Sequence, residues 1–137
     1  MKEGFNIIEE VTLPADFQSL VDVEKLVDKV CQIIGIQEDA FGNVLIAVTE
    51  AVNNAISHGN KQDSKLNIEL AVGDSLNSFC FRIIDQGKGF DYQNLPDPTA
   101  PENILKENGR GIFLMRNLSD EVVFNESGNE VIIYFSK

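Results

Sequence analysis

The sequence predicts an α+β fold, a two-layer sandwich with helices packed on one face of a mixed, mainly antiparallel sheet. Three observations carry that expectation. Two long segments in the first half repeat apolar residues every three or four positions, the period of amphipathic helices. Five shorter segments alternate apolar and polar residues, the period of half-buried strands. The elements run β-α-α-β-β, then a long aperiodic stretch, then α-β-β, with short turns joining the later strands in pairs.

The first strand is Phe5 to Leu13, where Phe5, Ile7, Val11 and Leu13 share a face that Glu9 interrupts. Pro14 and Asp16 open a helix carrying Leu20, Val23, Val27, Val30 and Ile34, which Gly35 closes. A second helix starts near Asp39 and runs to His58, with Val44, Val48, Ala51, Val52 and Ala55 in one apolar stripe and Gly59 as its stop. After a polar link, Leu66, Ile68, Leu70 and Val72 mark the next strand. A turn at Gly73-Asp74-Ser75 leads to a third strand with Phe79, Phe81 and Ile83 on its apolar face. Tyr92 to Asn108 loses periodicity and holds Pro96, Pro98 and Pro101, with room for one helical turn around Glu102 to Lys106; a stretch this long is either disordered or a functional lid. A short helix starts at Gly109-Arg110-Gly111 with Ile112 and Met115 facing inward. Strands Glu121 to Asn125 and Glu130 to Phe135, joined by a hairpin turn at Ser127-Gly128-Asn129, close the chain.

Composition narrows the function classes. A chain of 137 residues with 43% hydrophobic content reads as one globular domain, 1–137. Mean hydropathy is −0.08, and no apolar run approaches the ~20 residues of a membrane span, which leaves a cytoplasmic protein without membrane contact. The net charge of −11 argues against direct nucleic-acid binding, because phosphate-backbone binders carry basic patches. Cys31 and Cys80 stand singly among apolar neighbours and read as buried, reduced thiols.

Three motifs carry chemistry. Glu50 and Asn54 are four apart and stack at the edge of the helical stripe, about 6 Å apart along the axis. Such an edge can face solvent or a ligand in a cleft. Asp85 shares the parity of Phe79, Phe81 and Ile83, so a regular strand points its carboxylate inward, where it needs a partner. Gly87 and Gly89 follow it, allowing a sharp turn or a close ligand approach. Gly109-Arg110-Gly111 before a helix is a ready anion site, though glycines also merely cap and turn. Together these are the parts of a site for a nucleotide lying between helices and sheet. A Walker-type phosphate loop is absent from the sequence.

Thr49-Glu50-Ala51-Val52-Asn53-Asn54-Ala55-Ile56-Ser57-His58-Gly59 resembles the N box of the GHKL superfamily, the Bergerat ATP-binding fold. Asp85-Gln86-Gly87-Lys88-Gly89 and Gly109-Arg110-Gly111-Ile112-Phe113-Leu114-Met115 resemble its two glycine boxes. Within the superfamily, the wording is similar to that of the anti-sigma-factor serine protein kinases over essentially the whole chain.

That resemblance implies ATP and Mg²⁺ as cofactors, with an ATP lid at about 92–108. Asn54 would ligate Mg²⁺ and Glu50 would act as general base toward a serine hydroxyl. Asp85 would accept a hydrogen bond from the adenine amino group, with Gly87 and Gly89 passing close to the base. Gly109, Arg110 and Gly111 would bind phosphates. The implied partners are a sigma factor, bound by a homodimer, and an anti-sigma-factor antagonist with a STAS domain, phosphorylated on serine. His58 is taken as structural and Lys88 as an exposed turn residue. One departure stands out: the last hairpin reads Gly128-Asn129-Glu130-Val131, where many relatives place a threonine that helps hold the base. The alternative is a non-catalytic module that switches partners with nucleotide state. A two-component histidine kinase is disfavoured, because no helical segment bearing a phosphoacceptor histidine precedes the ATP-site motifs.

Overall fold

The computed structural model describes residues 1–59, 65–87 and 107–137, with the side chains at 58–59 and 107–110 outside that description. The side chain of His58, Lys88, Gly89 and all of the expected lid before residue 107 therefore lie outside the described residues.

The strands are β1 (Asn6–Pro14), β2 (Asn67–Asp74), β3 (Ser78–Asp85), β4 (Glu121–Phe124) and β5 (Glu130–Ser136). They form one sheet in the order β1-β2-β3-β5-β4, and all four pairings are antiparallel. The helices are α1 (Ser19–Ile34), α2 (Glu38–Asn54) and α3 (Glu107–Leu118), and a π turn (Ala55–Gly59) continues α2. Among the described residues, no helix is long and apolar enough to cross a membrane.

Strand alternation decides which layer each side chain joins. Ile68, Leu70 and Val72 of β2, Phe79, Phe81 and Ile83 of β3, and Val131, Ile133 and Phe135 of β5 all point to the helical side. There they meet Val23, Val27 and Val30 of α1, Val44, Val48 and Val52 of α2, and Ile112 and Met115 of α3. Phe135 stacks on Phe79 with centroids 5.3 Å apart and meets Phe81 edge-on at 6.4 Å. The opposite parity, Cys80, Ile132 and Tyr134, builds a small second cluster on the other face with Met1 and Phe5.

β1 departs from the regular strand expected of it. Ile7 pairs with Gly73 but Glu9 pairs with Val72, so Ile8 is an extra residue and the strand bulges. The bulge reverses the alternation. Val11 and Leu13 pack on the main core, whereas Phe5 goes to the far face, its ring 5.4 Å from that of Tyr134. Ile7, expected to point inward, is 46% exposed. Glu9, the apparent exception, is explained by its partner: its carboxylate lies 2.8 Å from the Lys29 ammonium on α1.

The helix limits also shift. α1 begins at Ser19 and not at Pro14 to Asp16, because Asp16 Oδ1 accepts the Gln18 N–H at 2.8 Å and Ser19 Oγ donates to the Pro14 carbonyl at 2.8 Å. Gly35, at φ 84°, ends it as expected, with the N–H groups of Gly35 and Ile36 both bonding the Cys31 carbonyl. Cys31 and Cys80 are free and buried, and burial pushes the Cys31 thiol up to about 11.

Candidate active site

The stripe of α2 is built as its spacing requires: Val44, Ala47, Val48, Ala51 and Val52 are buried. Glu50 and Asn54 sit one turn apart at its border, Glu50 half-buried and Asn54 only 4% exposed. The helix expected to continue to His58 instead widens into the π turn directly after Asn54, a geometry that recurs at functional sites.

α3 explains why this border is not a solvated edge. A Cβ built on Gly111 would lie 3.0 Å from Glu50 Oε2, 3.3 Å from Asn54 Nδ2 and 3.4 Å from Asn54 Oδ1. The missing side chain is what lets the two helices meet over the carboxylate and the carboxamide. α3, described from Glu107 onward, already includes Gly109, Arg110 and Gly111, so these residues belong to the helix and not to a loop preceding it. The Arg110 side chain lies outside the described residues.

Across the layer, Asp85 follows Phe79, Phe81 and Ile83 inward and is 5% exposed. Its Oδ1 accepts the Gly87 N–H at 2.9 Å, so Gly87 orients the carboxylate. Burial raises the Asp85 pKa above the usual carboxylate value, and the Gly87 bond opposes that rise. The Asp85 N–H donates to the Asn129 carbonyl at 2.9 Å, which ties β3 to the last hairpin.

Asn54 and Asp85 line one recess, together with Ala51, Met115, Asn129 and Glu130. Five of the expected residues are thus brought together in two places: Glu50, Asn54 and Gly111 at the helical wall, and Asp85, with Gly87 bonded to it, across from Asn54. Periodicity and spacing do not place the hairpin at this recess; only the resemblance points to Gly128-Asn129-Glu130-Val131, with no contact assigned there. Its composition is that of any turn, and only the β3–β5 register carries it to Asp85.

The donors fit a hard cation shared with phosphates. Asn54 Nδ2 is buried with no hydrogen-bond partner among the described residues. A half-turn of the amide puts its oxygen at that position, where it can ligate. No group of three or more His, Cys, Asp or Glu suited to a metal occurs among the described residues, so a cation here would depend on oxygens from its substrate and from water. Mg²⁺ is bound that way.

Residues 13–135 match the family model of the histidine kinase-like ATPase domain. The serine-protein kinase RsbW of Staphylococcus epidermidis is 33% identical, the match covering 87% of this chain and 80% of that protein. The serine-protein kinase RsbW of Staphylococcus aureus strain Newman is similar to the same degree, with the same coverage. The crystal structure of the RsbU and RsbW domains of Rv1364c from Mycobacterium tuberculosis shares the fold, with a TM-score of 0.60 at 18% identity. That match covers 93% of this chain and 31% of the other, much longer one. Fold and family model agree, and the chain belongs to the histidine kinase-like ATPase family and, within it, to the RsbW serine-protein kinases.

Proposed function

We propose that this protein is an anti-sigma factor with ATP-dependent protein-serine kinase activity, which binds a sigma factor and phosphorylates a STAS-domain antagonist in the cytoplasm. One observation carries the reading. Gly111 sets α3 against both Glu50 and Asn54, which supports a proton acceptor and a metal-ligating amide sharing one corner.

The chemistry follows from those positions. Asn54 would hold Mg²⁺, which neutralises phosphate charge when bound. Gly109, Arg110 and Gly111 receive the phosphates, Arg110 through charge-assisted hydrogen bonds. Asp85 accepts a hydrogen bond from the exocyclic amine of adenine, the partner its buried carboxylate requires, and the turn at Gly87 and Gly89 lets the backbone pass close to the base. Glu50 takes the proton from the attacking serine hydroxyl as its oxygen bonds to the γ-phosphorus. The bond from that phosphorus to the bridging oxygen breaks, and ADP leaves. Positioning and charge neutralisation supply most of the acceleration. The aperiodic segment at 92–108 serves as lid over this single domain, and the working form is a homodimer.

A pull-down from the native cell, with and without Mg-ATP, tests the assignment. It is expected to recover a sigma factor with Mg-ATP present, and an antagonist carrying new phosphoserine. Recovery of nucleotide-dependent partners with no phosphoserine on any of them would overturn the kinase assignment and leave a partner-switching module.

A further inference from the structure

The β4–β5 turn is laced more tightly than a hairpin needs. Asn125 Oδ1 accepts the N–H of Gly128 at 2.8 Å and of Glu130 at 3.2 Å, while its Nδ2 donates to Asn129 Oδ1 at 2.5 Å. Ser127 Oγ donates to the same Asn129 oxygen at 2.8 Å. Asn129 Oδ1 is thereby saturated by two donors, and the Asn129 carbonyl is occupied by the Asp85 N–H. The Asn129 Nδ2 group donates to no described residue, and Asn129 lines the recess beside Asp85.

We infer that Asn129, held by Asn125, is a specificity-determining residue for the nucleobase. This rests on the nucleotide reading above and deepens it. The wall presents a fixed acceptor, the Asp85 carboxylate, next to a fixed donor, Asn129 Nδ2. Turning the carboxamide over would set Asn129 Nδ2 against Asn125 Nδ2, two donors face to face, because the Asn125 oxygen is already held by Gly128 and Glu130. A base edge complementary to this pair carries a donor beside an acceptor. Adenine does, through its N6 amino group and the adjacent ring nitrogen. Guanine carries an acceptor, O6, beside a donor, N1–H, so both contacts turn repulsive. Asn125 is the positioning residue, acting only through Asn129.

Calorimetric Kd values for Mg-ATP and Mg-GTP, on the wild type and on Asn129→Asp, Asn129→Ser and Asn125→Asp, test the inference. Asn129→Asp replaces the donor by an acceptor of the same shape and is expected to weaken ATP about tenfold and to narrow the ATP-over-GTP preference by a similar factor. Asn129→Ser, which also loses the fixed donor, is expected to narrow the preference less. Asn125→Asp keeps the acceptor for Gly128 and Glu130 but frees Asn129, and is expected to narrow the preference in the same direction. An ATP-over-GTP ratio within twofold of wild type in both Asn129 variants would overturn the inference, whatever happens to absolute affinity. A wild type that binds no ATP would overturn the nucleotide reading itself, and this inference with it.

Discussion

The two walls of the candidate site, which meet at Asn54, are made in opposite ways. The helical wall is assembled from what is absent: Gly111 has no side chain, and Glu50 and Asn54 fill the space where one would be. The strand wall is assembled from what is bonded: Asp85 is held by Gly87 and by Asn129, and Asn129 by Asn125 and Ser127. Yet each wall keeps one polar group in a state that the fold alone does not favour. Asn54 Nδ2 is buried without a partner among the described residues, and the Asp85 carboxyl is desolvated enough to raise its pKa. Both are stability given up at a site where a ligand can supply the missing interaction.

The contrast can be broken first on the helical side. Gly111→Val places carbon atoms where Glu50 Oε2 now lies 3.0 Å from an added Cβ, so the carboxylate must move. Serine phosphorylation is expected to fall by about a hundredfold or more, since catalytic misplacement near 1 Å has that effect. A phosphotransfer assay against the antagonist measures it. Unchanged transfer would mean that the α3 contact is incidental.

Asn54→Ala comes next. It is expected to weaken Mg-dependent ATP binding about tenfold or more while leaving the thermal midpoint equal or higher, because a buried amide without a full set of partners is removed. Titration with ATP at fixed and zero Mg²⁺, beside a melting curve, separates the two effects. A lowered midpoint together with unchanged Mg²⁺ dependence would assign Asn54 to packing.

On the strand side, Asp85→Asn is expected to weaken ATP about tenfold and again to leave the melting temperature equal or raised, since the Gly87 N–H can still bond the amide oxygen. The pH dependence carries a sign that distinguishes the walls. The Asp85 pKa is raised in the fold, so its contribution to stability is full below the ordinary aspartate value and is lost as pH rises through the raised one. Adenine recognition needs the ionised acceptor and runs the other way, weakening as pH falls through the same raised value. Opposed slopes in the wild type, both flattened in Asp85→Asn, are the expected outcome. Parallel slopes would place the titration elsewhere.

How much of this was legible follows from the same contrast. Local periodicity is written into the chain, so the stripe of α2, the inward parity of Asp85 and the stop at Gly35 could all be read directly. The β1 bulge could not, because Phe5 and Ile7 keep the parity of Val11 and Leu13 in the sequence and lose it only through the extra residue Ile8. Helix α3 was expected to start at its glycines, since glycine weakens helices. Instead the helix runs through them, and their role is the close approach to α2. That approach joins residues about 60 positions apart in sequence, and the bond from Asp85 to Asn129 joins residues more than 40 apart; spacing rules do not reach across such intervals. Asn125 and Asn129 look like ordinary turn chemistry until strand pairing sets them beside Asp85.

The central claim is that the Glu50–Asn54–Gly111 corner performs phosphotransfer and does not merely bind nucleotide. Glu50→Gln tests it most directly, because the substitution keeps the shape and removes only the base. Serine phosphorylation of the antagonist and ATP affinity should be measured on the same preparation. The account predicts that phosphorylation falls by about 10² to 10⁴ while ATP affinity stays within about threefold. Undiminished phosphorylation would contradict it.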